Sequence, residues 1–430
     1  MKTRTITRAA VLLSSAALLA ACGGGGGSSP SNDASEGKRQ SLLYAYPYNE
    51  QTEIATAAPV VLRFTSDVSI ANAENAVTLH EGDADGAVVD VDYSKVEEDQ
   101  RGLVLTPKEH LKPLTDYTVV VNGLELDKGT SANKNLTFTT RPLQKGPKEL
   151  VVTSDEFAIE RQIPDASKKT EPVMDFSTFR FQFSQPIDPT TAHYGDAPAS
   201  STAPADTIKL TDANGDVVDA TLLIDGPYMT VDPTPEYLNA GETYTLSISG
   251  ELASTYGETF AAQEFTYQPM DSSPRGEPAI LVQKLTTQGT SRLTGAPINQ
   301  VPVNGTLLGE GANFTQARSD AVEAELGDVT VYTDVTPLRI PRGTTLNGDA
   351  IEKVLIGGKV DAGFGSGDVK MVFLSDATGY LVPNPYNSVR SDALRIVHLF
   401  MDVGIATEDP RANGGFTQDI AHIELVGVAD

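Results

Sequence analysis

Phe179-Arg180-Phe181-Gln182-Phe183 sets an aromatic ring at every second position, and Ser184-Gln185-Pro186-Ile187-Asp188 then breaks the pattern. Side chains of an extended strand point alternately to its two faces, so the three rings share one face and Arg180 and Gln182 take the other. Three rings on one face call for a second sheet to bury them. Val61-Leu62-Arg63-Phe64 shows the same period upstream, with Leu62 and Phe64 on the inner face.

Working outward from these strands, the chain repeats itself. Val77-Thr78-Leu79, the acidic turn Asp83-Ala84-Asp85-Gly86 and Val88-Val89 are answered by Ile208-Lys209-Leu210, Asp212-Ala213-Asn214-Gly215 and Val217-Val218. Leu103-Val104-Leu105-Thr106-Pro107 is answered by Met229-Thr230-Val231-Asp232-Pro233. Leu111 to Val119 is answered by Leu238 to Leu246, and the closing strand Leu136 to Thr140 by Glu264 to Tyr267. Tyr117 to Tyr244 and Phe138 to Phe265 share one offset of 127 residues, which marks a duplicated unit. Turn residues every 8–12 positions or so predict a β-sandwich in each copy.

This order of motifs resembles the bacterial immunoglobulin-like domain of the S-layer (SbsA) type. The match is close at Phe183-Ser184-Gln185-Pro186-Ile187-Asp188-Pro189 in the second copy and at Leu136 to Thr140 in the first. The first copy departs at Thr65-Ser66-Asp67, which has no Pro, and carries Leu114-Thr115 where the second has Ala240-Gly241. The second carries an extra Ala-, Ser- and Pro-rich loop, Ala192 to Asp206. Tyr117 and Tyr244 precede strands and resemble a tyrosine corner, in which a buried ring is tied through its hydroxyl to the backbone. The fold class expected is all-β: tandem Ig-like sandwiches over 41–142 and 148–269, then a third all-β domain over 278–430 of unassigned family. In that third region Ile280 to Val282, Val329 to Tyr332, Val354 to Ile356, Val369 to Leu374, Leu394 to Ile405 and Ile420 to Val428 read as strands, and Gln316 to Glu325 as the best helical candidate.

The N-terminus reads as an address. Lys2, Arg4 and Arg8 precede an apolar stretch from Ala9 to Ala20, too short to span a bilayer, which needs roughly 20 apolar residues. Leu19-Ala20-Ala21-Cys22 resembles the lipobox of bacterial lipoproteins, which implies a signal peptide over 1–21, a lipid on Cys22 as the membrane partner, and an envelope location. In a host with two membranes, the same resemblance, with Gly23 in place of Asp, implies the outer one. Residues 22–40, rich in Gly and Ser, cannot bury apolar surface and read as a flexible tether. The two sandwiches would then be spacers between anchor and C-terminal domain.

Net charge is −26, and −29 once the signal is gone. Such a chain is repelled by nucleic acid and anionic lipid; cations or basic partners are its natural counterparts, although solubility alone is the plainer reading of the charge, and a protein or a cell-surface polymer is the partner expected of an adhesive role. With Cys22 the only cysteine, packing must stabilise the fold without disulfides. The absence of Trp excludes an antibody-type Cys–Trp–Cys core.

Few motifs carry chemistry. Asp212 to Asp216 starts like a calcium loop but has Leu223 at the twelfth position and no Gly at the sixth. A hairpin turn explains it and its counterpart Asp83 to Gly86. Asp361 to Asp368 is Gly-rich without the Lys-Ser/Thr of a phosphate loop, and reads as a hairpin connection. His398 and Asp402 share parity on one strand, and His422 and Glu424 on another. Side by side these four could ligate a divalent cation such as zinc or copper. The alternation rule offers the plainer reading, a solvent-facing polar side. No catalytic nucleophile is apparent and no G-x-S-x-G elbow occurs. A structural or adhesive role is expected, ahead of a metal- or ligand-binding one and of a hydrolase on an Ig-like stalk.

Overall fold

The first repeat buries its inner face between two four-stranded sheets. Its strands are β1 (Leu42–Tyr46), β2 (Gln51–Ile54), β3 (Val60–Phe64), β4 (Val77–Glu81), β5 (Val91–Lys95), β6 (Gly102–Pro107), β7 (Asp116–Val121), β8 (Glu125–Leu126), β9 (Gly129–Thr130) and β10 (Lys134–Thr140). One sheet runs β1-β3-β6-β5 and the other β2-β10-β7-β4. The computed structural model describes residues 42–95, 100–143, 146–200, 203–276, 278–291, 297–302, 314–356, 360–386, 395–413 and 419–429. The expected signal peptide 1–21, the tether 22–40 and Cys22 lie outside the described residues.

The second repeat has β11 (Ile159–Ile163), β12 (Phe179–Phe183), β13 (Ile208–Thr211), β14 (Ala220–Asp225), β15 (Tyr228–Pro233), β16 (Tyr244–Ile248) and β17 (Gln263–Tyr267). Its sheets run β11-β12-β15-β14 and β13-β16-β17, the order of the first copy without a counterpart of β2. Phe179, Phe181 and Phe183 fill the core between them, in ring contact with Tyr267, Phe265 and Phe260. The duplication extends to single hydrogen bonds. The Lys112 N–H donates to the Tyr117 hydroxyl at 2.9 Å, and the Asn239 N–H to the Tyr244 hydroxyl at 3.0 Å, five residues upstream in both copies. Tyr244→Phe should leave that N–H without its partner and lower stability by about 1–3 kcal/mol, read as a shift of the urea midpoint at unchanged slope.

The third region builds one sheet of nine strands, off which β23 and β24 form a separate hairpin. Its strands are β18 (Ala279–Leu285), β19 (Gln300–Pro302), β20 (Phe314–Leu326), β21 (Thr336–Ile340), β22 (Thr345–Gly348), β23 (Leu355–Ile356), β24 (Val360–Asp361), β25 (Val369–Phe373), β26 (Ala377–Val382), β27 (Arg395–Thr407) and β28 (Asp419–Ala429). β25 and β26 lie end to end along one edge of β27, and β28 pairs along its other edge. One sheet face is apolar and gathers Leu399, Met401, Val403 and Ile405 of β27 with Leu338, Met371, Phe373, Ile423 and Leu425.

Three expectations are corrected here. Gln316 to Glu325 is not helical but the body of β20. Pairing with β18 on one side and with β21 and β22 on the other overrides its helix-forming composition, and Ala317, Val322 and Ala324 point into the core. Val329 to Tyr332 is a turn rather than a strand. The Asp328 carboxylate accepts from the Thr330 N–H at 2.9 Å, and the Asp328 carbonyl from the N–H groups of Val331 and Tyr332. The two acidic turns stand as hairpins: the Asp212 carboxylate accepts from the N–H groups of Asn214 and Asp216, with Gly215 at φ 87°, and the Val89 N–H donates to the Leu79 carbonyl across the first. Asp361 to Asp368 is not a hairpin connection: Asp361 lies in β24, paired with Leu355 of β23, and the segment after it runs on to β25, with which β24 does not pair.

The domains are not strung out as spacers. Tyr386, Ile396 and Val426 of the third region belong to the apolar core of the first unit. The Asn384 amide donates to the Leu43 carbonyl at 3.0 Å. The C-terminal sheet thus lies against both sandwiches, and a stalk holding it at a distance is ruled out.

Candidate functional site

The polar faces that alternation assigns to solvent are buried against each other. In β12 and β15 every residue is buried, so Thr178, Arg180 and Gln182, and Tyr228, Thr230 and Asp232 beside them, are covered as fully as the rings behind them. What covers them is the even-numbered face of β27 and β28, together with Asp376 and Thr378. The C-terminal sheet sends its odd-numbered apolar side chains into its own core, and its other face meets the sandwiches, with Ile396 and Val426 against the first and the polar His398, Asp402, His422 and Glu424 in a seam with the second. The reading of the His398/Asp402 face as solvent-exposed is corrected by this packing: Asp402 and Glu424 are 2% and 1% exposed.

The strand register brings the four predicted residues onto that face. Asp402 lies opposite His422, and Phe400 opposite Glu424, with His398 one step along. They form two pairs, His422 Nδ1 with Asp402 Oδ1 at 3.1 Å and His398 Nδ1 with Glu424 Oε1 at 3.5 Å. Each carboxylate also meets an arginine from the second sandwich. Arg161 donates from both terminal nitrogens to Glu424, at 2.9 and 3.3 Å, and its guanidinium lies 5.1 Å from the centre of the Phe400 ring. Arg180, 1% exposed, donates to the Thr378 hydroxyl at 2.8 Å, the Ser375 hydroxyl at 3.0 Å and the Asp376 carbonyl at 2.7 Å. The Ser375 hydroxyl passes its own hydrogen to Asp402 at 2.7 Å, bridging a 3.7 Å ion pair. Among the described residues, no group of three or more His, Cys, Asp or Glu side chains is placed to hold a metal ion. A cation would have to displace guanidinium groups that already neutralise both carboxylates.

The seam continues on either side. Arg342 donates to Asp232 at 2.9 Å, and its backbone N–H to Asp376 at 2.8 Å. Arg339 reaches Glu325 at 2.6 Å and the Glu236 carbonyl at 2.7 Å, its guanidinium 4.7 Å from the Tyr237 ring centre. The Tyr228 ring stacks on His422 at 4.5 Å, and Asp225 accepts from the His422 N–H at 2.9 Å.

Burial alone would raise the pKa values of these carboxyls, since it penalises the charged form. In Glu424 the Arg161 guanidinium and then the hydrogen bond to His398 overcome it and hold the pKa at about 2, below the ordinary 4.5. In Asp402 the hydrogen bond to His422 and the charge of Arg180 hold it well below the usual carboxylate range. Asp232 goes the other way, raised by its burial and by neighbouring Asp376. The arginines were missed in the sequence, although Arg180 between two rings and Arg339 between Leu338 and Ile340 are charges in mid-strand, where an unpaired charge is rarely tolerated.

A family model described as the bacterial Ig-like domain matches residues 38–140 and 154–268. Alkane uptake protein B of Marinobacter nauticus (strain SP17) is 33% identical over 425 residues, covering 90% of this chain and 38% of that protein, so the chain spans well under half of its relative. An L,D-transpeptidase from Mycobacterium tuberculosis H37Rv is similar at 12% identity, covering 50% of this chain and 79% of that one, with a TM-score of 0.17. The S-layer protein SbsC is similar at 11% identity, covering 86% of this chain and 52% of that one, with a TM-score of 0.18. Structural likeness at those scores carries no functional weight. The model matches both copies of the sandwich, which together make up half of the chain: the protein belongs to the bacterial Ig-like domain family.

Proposed function

We propose that the protein is a non-catalytic, lipid-anchored component of the bacterial cell envelope, and that its three β-domains act as one locked body with a structural or interaction role. The observation that carries this reading is the seam. The buried carboxylates and arginines of the second sandwich and the C-terminal sheet are spent on one another, which is how charged groups are used to fix one arrangement of domains. The lipobox-like Leu19-Ala20-Ala21-Cys22 supports the anchor, and no helix among the described residues is long and apolar enough to cross a membrane.

The similarity to a protein named for alkane uptake supports a finer reading, in which this body takes part in moving apolar compounds across the envelope. Two measurements test these readings. Wild type and Cys22→Ser are compared by membrane fractionation and by proteinase treatment of intact cells. The wild type should sediment with membranes and Cys22→Ser should not; equal partition as soluble protein overturns the anchor. A deletion strain should grow more slowly on a liquid alkane and normally on a soluble carbon source; equal growth on both overturns the uptake reading and leaves the structural one.

A further inference from the structure

One carboxylate reaches the seam from the first sandwich. β2 runs parallel to β10, pairing Gln51 with Phe138 and Ile54 with Thr140, and the register slips between the two pairs. Glu53 sits in that irregularity at φ 59°, left-handed backbone that residues with a Cβ rarely adopt. Such bulges re-aim a side chain. Here the carboxylate of Glu53 is turned out of the first sandwich toward the second: the Tyr228 hydroxyl donates to its Oε2 at 3.4 Å, and the Gln182 side chain hydrogen-bonds to it. Gln182 is buried on β12, two residues from Arg180. Tyr228 is buried too, and its ring lies on His422 of the C-terminal sheet. Glu53 therefore stands where all three domains meet.

The charged and titratable groups around it come from every neighbouring element. Arg141 follows β10 of its own sandwich. Glu160 and Arg161 lie on β11 of the second, Arg161 being engaged with Glu424. Asp225 and Tyr228 flank the β14–β15 turn, and His422 lies beyond the Tyr228 ring. Arg161 and Arg141 act on Glu53 through their charge, whereas the hydrogen bonds shown to its carboxylate come from Tyr228 and Gln182.

We propose that Glu53 is a proton-operated latch: neutral, it lets the first sandwich seat against the second and the C-terminal sheet, and ionised, it loosens that seat. The physics is that of a half-buried carboxyl without a dedicated counter-charge. Burial pushes it up to about 7; Gln182 pulls it back, Glu160 adds to the rise, and Arg161 and Arg141 oppose it. Its folded value is raised above the ordinary 4.5, so its contribution is fully present below pH 4.5 and is lost as pH rises through about 7. The seam carboxylates have the opposite sign and weaken only in acid. The packed form then has an upper pH limit set by Glu53 and a lower one set by Glu424 and Asp402.

The test uses the full chain, with limited proteolysis of the connection around 143–152 and denaturant melts from pH 5 to 8.5. In the wild type, cleavage there should quicken and the folding equilibrium constant fall by up to on the order of a hundredfold as the pH rises from 5 to about 7, both levelling off above it. Glu53→Gln, which mimics the neutral acid, should show neither change. Equal pH profiles in the two proteins overturn the latch. Should Glu53→Gln not fold, Gln182→Met removes the hydrogen bond that holds the pKa down. The wild-type midpoint should then move to higher pH, and an unmoved midpoint is the contrary result.

Discussion

Arg180→Met is expected to destabilise the protein by about 3–5 kcal/mol, a large share of a typical domain's stability. The cost is not that of one ion pair. Arg180 supplies donors to Thr378, Ser375 and the Asp376 carbonyl, and it is the guanidinium nearest Asp402. Methionine fills much of the volume and supplies none of these. The Asp402 carboxylate, 2% exposed, is then left with His422 and Ser375 alone. An uncompensated buried charge is what makes such truncations severe, whereas replacing both members of a buried pair is often nearly neutral. The double variant Arg180→Met/Asp402→Leu should therefore recover a substantial part of the loss. Urea melts of the wild type, the two single variants and the double complete the cycle. Strict additivity would mean that the two residues are not coupled across the seam.

Acid should open the protein from the same place. The pKa of Glu424 is about 2 in the folded state and near 4.5 when unpaired, so its contribution is full above pH 4.5 and fades as the pH falls toward 2. Integrated over that window it amounts to about 3 kcal/mol. Asp402 adds to the loss with the same sign. Glu424→Gln should be less stable than the wild type at neutral pH, because Arg161 stays buried without a counter-charge. Its stability should fall less steeply between pH 4.5 and 2, with about one proton fewer taken up on unfolding. Parallel pH profiles for the two proteins would remove Glu424 from the account of acid opening.

The sandwiches were legible in the sequence because each strand tells its two faces apart. Phe179, Phe181 and Phe183 fall on one side, and the offset of 127 residues supplies an internal control. What periodicity cannot say is what lies beyond the polar face. Arg180 and Gln182 look the same whether water or another sheet covers them. The reading of His398, Asp402, His422 and Glu424 as one face was sound for the same reason, and it mistook the environment for the same reason. The partners that decide it, Arg161 and Arg180, stand more than 200 residues earlier in the chain. β20 escaped because Ala, Glu and Arg favour helices and its strand character is set by neighbours on both sides. Glu53 had no signal at all, since its position depends on a bulge rather than on composition.

The proposed locking by the seam predicts one cooperative unit where the sequence presents three domains. Scanning calorimetry of the full chain at pH 5.5, where Glu53 is largely neutral and Glu424 and Asp402 are ionised, tests this most directly. One transition, with calorimetric and van't Hoff enthalpies equal, is the predicted result. Two or three resolved transitions, with the C-terminal sheet melting apart from the sandwiches, would contradict it.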